Sequence, residues 1–189
     1  MVTKVELLNK VRSPDNKNVL QAVEEMRVRG WLSDGSLHGI ALIRVQLQGA
    51  DLIEADLSTA DLHQAEMEFV DLSNANLSAA KLIRANLIGA NLSETDLTRA
   101  DLYKTNLRGC RNLTGEQLKK AKRLWGSIMP DGDSYDGRYN LSADIELARW
   151  GKVDINDPQA MAEFYGVSLD TYLSGQEEGV AAVAPEAEA

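Results

Sequence analysis

The sequence predicts an all-β solenoid of about four coils over residues 30–109, and three parallel rows of residues predict it. The first row is a set of residues spaced by five, all leucine except one: Leu32, Leu37, Leu42, Leu47, Leu52, Leu57, Leu62, Met67, Leu72, Leu77, Leu82, Leu87, Leu92, Leu97, Leu102 and Leu107. A second row, mostly alanine, stands two residues before each of these, and a polar row of mostly aspartate and asparagine lies between them. A period of five fits neither the 3.6 of a helix nor the two of an extended strand, whereas it fits a coil that turns a corner in every unit.

Stacking of the coils would supply the core. If four units close one square coil, residue n stacks on residue n+20 and neighbouring backbones pair at about 4.7–4.9 Å. The leucine and alanine rows then point inward, and the other three positions of each unit point outward. Because a coil cannot bury its apolar rows alone, the two ends of the solenoid are expected to need caps.

The repeated unit Ala-(Asp/Asn)-Leu-x-x, as at residues 50–52, 60–62 and 90–92, resembles the pentapeptide-repeat family. This resemblance implies a right-handed quadrilateral β-helix, and it covers about 80 of the 189 residues. The pattern departs from the family in its first four units, where alanine is replaced by Gly30, Gly35, Ile40 and Val45. The first coil is therefore expected to be the least regular.

An N-terminal helical cap is predicted over residues 1–29. Residues 16–29 have the apolar spacing of an amphipathic helix that ends at Gly30, with one side formed by Val19, Leu20, Val23 and Met26. A shorter amphipathic stretch covers residues 5–11. Both are expected to cover the open first coil, since an uncovered edge invites association with other edges.

A C-terminal helical region is predicted over residues 110–175, because the period breaks where Asn112 takes the place of leucine. Thr114 and Gln117 have capping-box spacing, which predicts a helix that buries Leu118, Ala121 and Leu124. Further helices are predicted near 142–150, over 158–165 and over 168–173. The second of these has Asp157 as N-cap, Pro158 at its first position and Gly166 as its stop. Residues 176–189 have the composition of a disordered acidic tail.

Composition argues against several partners. The formal net charge of −9 disfavours direct nucleic-acid binding, which requires clustered lysine and arginine. A single cysteine, Cys110, excludes an internal disulfide framework and a cysteine-based zinc cluster. No secretory signal and no run of about 18 apolar residues are present, so a soluble cytoplasmic protein without a membrane partner is predicted.

The sequence predicts no catalytic residue, no cofactor, no metal site and no small-molecule substrate. Phosphate-binding, nucleophile-elbow and zinc-protease motifs are absent from the sequence. His38 and His63 fall in different columns of the predicted coil. The aspartates at 131, 133 and 136 lack the glycine and glutamate spacing of a calcium loop, and the helix-turn-helix-like segment 162–171 carries no lysine or arginine to contact DNA.

Stacking every twenty residues predicts one face with cationic and apolar columns and an opposite acidic face. The cationic column is Arg44, Gln64, Arg84 and Lys104, and the column beside it is Ile43, His63, Ile83 and Tyr103. Apolar side chains that recur among arginines on an exposed face are typical of an interface, although columns of one charge also arise on ordinary solvated surfaces. The predicted protein-binding residues are Ile43, Arg44, Ile83, Arg84, Tyr103 and Lys104. The acidic face carries Asp34, Glu54, Asn74 and Glu94 beside Asp51 and Asp71.

Three functions are compatible with the sequence. The first is a non-catalytic interaction or scaffold module whose partner is another protein or a second copy of the chain. The second follows from the resemblance, since some pentapeptide-repeat proteins mimic DNA and bind DNA gyrase; seven acids and no cation between residues 51 and 71 favour it. The third, a remote alternative, is an enzyme with its site in the C-terminal helical region.

Overall fold

The protein forms a β-solenoid whose coils repeat every twenty residues, as seen in a computed structural model that describes residues 2–181. Parallel bridges join residues twenty apart at every fifth position, from Ala41↔Asp61 to Asn91↔Arg111. Between these coils the Leu62 amide donates to the Lys81 carbonyl, with an N–O distance of 2.9 Å. One coil therefore contains four five-residue units, and the predicted stacking of residue n on residue n+20 is confirmed.

Each unit ends in a tight turn, which explains the period of five. The amide of the alanine-row residue donates to the carbonyl of the leucine three residues earlier, as from Ala65 to Leu62 at 3.1 Å. From Leu37 to Leu107 the second residue after each member of the leucine row has a positive φ, for example +55° at Gln64 and +58° at Arg84. A type II turn requires this conformation, which costs a residue other than glycine about 1–2 kcal/mol. The regular ladder between coils offsets that cost.

The leucine and alanine rows fill the interior as predicted. Every leucine-row residue from Leu52 to Leu107, Met67 included, is at most 1% exposed. Where the alanine row carries a polar group, that group donates to a leucine carbonyl of the preceding coil. Thr95 Oγ1 lies 2.8 Å from the Leu72 carbonyl oxygen, and Thr105 Oγ1 lies 2.7 Å from that of Leu82. These hydroxyl groups are therefore buried without an unsatisfied hydrogen bond.

The polar row has a structural task within each turn. The carboxylate of Asp71 accepts a hydrogen bond from the Ser73 amide at 3.0 Å, and Asn76 accepts one from Ser78 at the same distance. Such bonds to the amide two residues on are the reason aspartate and asparagine recur in turns. Asparagines also bond to aspartates one coil earlier, as from Asn91 Nδ2 to Asp71 Oδ1 at 3.2 Å.

Two helices cover the first coil, in agreement with the prediction: α1 spans Lys4–Lys10 and α2 spans Asn16–Val28. They bury one apolar side, which consists of Leu7, Val19, Ala22, Val23 and Met26. Polar side chains from the same segment bond to the open edge of the coil. Asn16 Nδ2 donates to the Gln48 carbonyl at 3.2 Å, and Arg12 Nε donates to the Ala41 carbonyl at 3.1 Å.

The first coil is irregular, as expected. The Asp56 amide donates to the Leu32 carbonyl, 24 residues earlier, whereas the Asp61 amide donates to Ile40, only 21 residues earlier. An offset of 21 is the regular one, as from Asp71 to Ala50, so the extra residues lie before Ile40, where glycine replaces alanine.

The prediction that the solenoid stops at Gly109 is wrong. Parallel bridges continue at Asp101↔Arg123 and Asn106↔Ile128, with an offset of 22 rather than twenty. The two extra residues are taken up by α3, Gly115–Lys119, which begins with the predicted Thr114–Gln117 capping box. The predicted inward residues beyond α3, Ala121 and Leu124, are buried, but they belong to this further coil and not to the helix.

In the part of the chain that the structure describes, three further helices follow the last coil. Helices α4, Ser142–Trp150, and α5, Pro158–Tyr165, have the predicted bounds, and Gly166 ends α5 in the left-handed conformation. Helix α6, Leu169–Ala181, is longer than predicted and takes in the first six residues of the predicted tail. The rest of that tail, residues 182–189, lies outside the described residues. Within residues 2–181, none of the helices has the length and apolar character needed to cross a membrane.

Helix α4 closes the last coil through one buried carboxylate. In the interior, the amides of Leu82 and Leu102 donate to carbonyl groups of the following coil. Leu124 has no following coil, and its amide donates instead to Asp144 Oδ2 at 3.1 Å, while the Trp125 amide donates to Asp144 Oδ1 at 3.0 Å. Burial raises the pKa of Asp144 to about 6, against the opposing effect of these two hydrogen bonds. Asp144 therefore supplies the acceptor that a further coil would otherwise provide for Leu124, and for Trp125 it replaces the turn aspartate to which the Tyr103 amide donates in the coil before.

Candidate protein-binding face

One face of the solenoid gathers the six predicted site residues. Its backbone is joined by the bridges Ala41↔Asp61, Asp61↔Lys81 and Lys81↔Asp101. The residues that follow each inward leucine on this face therefore lie in two adjacent columns, with successive coils about 4.8 Å apart. We call these columns the stripe: Ile43, His63, Ile83 and Tyr103 beside Arg44, Gln64, Arg84 and Lys104.

The stripe combines exposed apolar groups with exposed cations. Ile43 is 55% exposed, a high value for a large aliphatic side chain, while Ile83 and Tyr103 are half-buried. Arg44, Arg84 and Lys104 are all exposed. Arg44 Nε donates to Gln64 Oε1 at 2.8 Å, so this guanidinium group is held against the neighbouring coil.

His63 and Asp61 form a pair within the stripe region. His63 Nδ1 lies 2.6 Å from Asp61 Oδ1, and the His63 amide donates to the same oxygen at 3.2 Å. Burial acts to raise the pKa of Asp61, but the hydrogen bonds from His63 outweigh it and hold the pKa below its ordinary value. The Asp61 carboxylate is therefore engaged by hydrogen bonds within its own turn.

Trp125, which the regular period of the sequence did not reveal, continues the stripe at its C-terminal end. The Trp125 ring stacks on Tyr103 with a centroid distance of 5.4 Å and an interplanar angle of 17°. Trp125 Nε1 in turn donates to the Phe164 carbonyl of α5 at 2.9 Å, and the Arg123 guanidinium lies 4.4 Å from the Tyr103 ring centroid. Trp125 stands 22 residues after Tyr103, because α3 adds two residues to this coil. A spacing of 22 at this one coil would have predicted that the two rings are neighbours.

The acidic face is less available than the sequence indicates. On this face Asp51 and Asp71 each accept a hydrogen bond from the amide two residues on. Asp56 and Asp61, which lie on other faces, accept the same bond. Arg27 Nε also lies 3.5 Å from Asp51 Oδ2. Lys4 forms a 2.6 Å ion pair with Asp34, and that contact lowers the pKa of Asp34 to about 2.

The groups considered for metal or nucleophilic chemistry do not converge. His38 bonds to Ser58 on a different face from His63, with an Nδ1–Oγ distance of 2.7 Å. Asp136, from the segment compared with a calcium loop, is buried and paired with Arg138 at 2.8 Å. Within residues 2–181, no group of three or more histidine, cysteine, aspartate or glutamate side chains is placed to hold a metal ion. Burial raises the pKa of the Cys110 thiol to about 12, which keeps it protonated.

The ladder of single bridges and the inward leucine row define a repeat protein of the β-helix class. A family model described as Pentapeptide repeats matches residues 42–78 and 75–111, with eight copies. The chain belongs to the pentapeptide-repeat family, as the resemblance of its repeated unit predicted. Among curated proteins, none matches the chain.

Solved structures of the same family resemble the repeats. A pentapeptide repeat protein from the cyanobacterium Cyanothece 51142 is 35% identical over 48% of this chain and 54% of its own, with a TM-score of 0.37. Another from Nostoc PCC 7120 is 34% identical over 57% of this chain and 93% of its own, with a TM-score of 0.39. HetL of Nostoc sp. strain PCC 7120, a pentapeptide repeat protein involved in heterocyst differentiation regulation, is 36% identical over 50% of this chain and 51% of its own, with a TM-score of 0.25. The chain thus spans about half the length of the Cyanothece protein and of HetL.

Proposed function

We propose that the protein is a non-catalytic interaction module, a quadrilateral β-helix that binds another protein through the stripe. The single observation that carries this proposal is the alignment of isoleucine with exposed arginine on alternate coils of one rigid face. Interfaces are enriched in arginine, in aromatic residues and in apolar groups at their centre. The stripe has all three, with Ile43 at one end and the stacked Tyr103–Trp125 pair at the other.

The geometry of the stripe favours binding with little loss of conformational freedom. The backbone under it is held by coil-to-coil hydrogen bonds, such as that from the Arg44 amide to the His63 carbonyl at 2.8 Å. The Arg44 side chain is already fixed by Gln64. Since ordering side chains on association costs about 0.5–1.5 kcal/mol each, groups ordered beforehand add to affinity.

The alternative of a DNA-mimicking protein that binds gyrase has weaker support. Mimicry requires carboxylates that project as free charges, whereas Asp51 and Asp71 accept hydrogen bonds within their own turns. The cations of the stripe, on the opposite face, also weaken the negative potential that a DNA-like molecule would present. The acidic face supports that function less well than the stripe supports protein binding.

The test replaces two isoleucines of the stripe with glutamate in one variant, Ile43→Glu with Ile83→Glu. Ile53→Glu is the matched control, because Ile53 follows an inward leucine in the same way, is 39% exposed and lies on the acidic face. We expect self-association in analytical ultracentrifugation, or recovery of a protein partner in a pull-down, to fall at least tenfold in the double variant only. Unchanged binding by a folded double variant would contradict the proposal, and inhibition of gyrase supercoiling by the purified protein would favour the alternative.

A further inference from the structure

A groove lies at the corner of the solenoid beside the stripe. It has a volume of about 420 Å³ and is lined by His63, Ala79, Lys81, Ile83, Arg99, Asp101 and Lys122. Ile83 belongs to both the groove and the stripe, so the two form one continuous surface. Ala79 and Ile83 supply the apolar part of its lining, and the three cations surround them.

The groove and its surroundings carry more positive than negative charge, and the lysines are only loosely paired. Lys81 Nζ and Lys122 Nζ each lie 3.9 Å from the nearest carboxylate oxygen, of Asp61 and Asp101 respectively, which is too far for a hydrogen bond. Among the residues that the structure describes, no carboxylate forms an ion pair with Arg99.

The two nearby carboxylates are already occupied. Asp101 is buried and accepts two hydrogen bonds from Arg123, at 3.0 Å from Nε and 2.6 Å from Nη2. Asp61 is held by His63 at 2.6 Å. Neither carboxylate is free to turn toward the exposed ammonium and guanidinium groups, so three cations face solvent together in a chain of net charge −9.

We infer that this groove takes an acidic peptide segment of the partner, one with an apolar residue among its carboxylates, an inference that rests on the proposed function. Glutamate or aspartate side chains would pair with Lys81, Arg99 and Lys122, and the apolar residue would cover Ala79 and Ile83. This charge complementarity selects the partner and speeds encounter more than it adds affinity.

Two other anions fit the groove less well. A small anion such as phosphate is usually held by converging donors in an enclosed pocket, whereas Lys81 and Lys122 are more than half exposed. A nucleic acid would meet the long-range repulsion of a chain of net charge −9. A peptide needs only a short contact and avoids most of that repulsion.

The experiment measures fluorescence anisotropy with a labelled peptide, Gly-Glu-Glu-Leu-Glu-Glu-Leu-Gly, and with the same peptide carrying lysine in place of glutamate. The test variant is Lys81→Gln with Arg99→Gln and Lys122→Gln. The control removes two exposed cations elsewhere, Lys17→Gln with Arg149→Gln. We expect the acidic peptide alone to bind the wild type and the control, and its affinity to fall roughly tenfold in the test variant, since each exposed pair contributes modestly.

Several results would overturn the inference. These are no binding of the acidic peptide, equal binding by the test variant, or tighter binding of inorganic phosphate or of a single-stranded oligonucleotide of equal charge. The double substitution of the stripe isoleucines separates the proposal of protein binding from the proposal of acidic specificity. If Ile43→Glu with Ile83→Glu abolishes partner recovery while the three glutamine substitutions leave it intact, the interaction function stands and the acidic specificity fails.

Discussion

Leu77→Asp is expected to unfold the solenoid. Leu77 is fully buried in the inward row, between Leu57 and Leu97 of the adjoining coils. Removing a buried leucine side chain costs about 2–5 kcal/mol, and a buried carboxylate without a partner adds several more. The sum is comparable with the entire free energy of unfolding of an ordinary domain, about 5–15 kcal/mol. Leu72→Asp should act in the same way, since Leu72 is equally buried.

Far-UV circular dichroism and thermal melting measure this effect. Asn74→Asp is the matched control, because it introduces the same carboxylate three residues away at an exposed position. We expect the control to melt close to the wild type and Leu77→Asp to show no cooperative transition. A native spectrum and an unchanged melting temperature for Leu77→Asp would contradict the inward row.

Asp144→Ala is expected to open the C-terminal end. The substitution leaves the buried amides of Leu124 and Trp125 without acceptors, and each unsatisfied buried donor costs about 1–3 kcal/mol. A loss of about 3 kcal/mol corresponds to a melting temperature lowered by about 6–12 °C in a chain of this size. Glu146→Ala, an exposed carboxylate on the same helix, is the control and should change little.

The raised pKa of Asp144 also predicts that the effect of Asp144→Ala on stability depends on pH. The pKa of Asp144 is raised to about 6 from its ordinary 3.8, so the folded state binds this proton more tightly than the unfolded state. The stabilisation that comes from this difference is fully present below about pH 4 and is lost as the pH rises through about 6. The difference in free energy of unfolding between wild type and Asp144→Ala should therefore be larger at pH 4.5 than at pH 7.5. A difference that grew with pH would contradict the raised pKa.

The regular part of the molecule could be predicted because the leucine, alanine and polar rows all repeat with the same period of five. The leucine row sets the inward positions, four units close a coil, and these two facts place Ile43 and Ile83 on one face. Helix α5 could be predicted for a local reason, since its N-cap Asp157 and its stop Gly166 are both encoded within the segment.

The remaining features depend on an insertion and on long-range contacts that the five-residue period does not encode. Helix α3 adds two residues to a coil, and this insertion hid the partnership of Tyr103 with Trp125. Helix α6 extends beyond its predicted end where Glu178 pairs with Arg138 at 2.8 Å, a contact with a residue forty positions earlier. The sequence overstates the acidic surface because it does not distinguish a carboxylate that accepts a hydrogen bond within its own turn from one that projects freely.

Site-specific photo-cross-linking would show whether the stripe is the surface that binds a protein. A benzophenone amino acid would replace Ile43 or Ile83 on the stripe, and Ile53 or Ser93 at the equivalent positions of the acidic face. After irradiation in native cell extract, we expect the same covalent adduct from positions 43 and 83 and none from 53 and 93. Adducts from positions 53 and 93, with none from 43 and 83, would contradict this expectation.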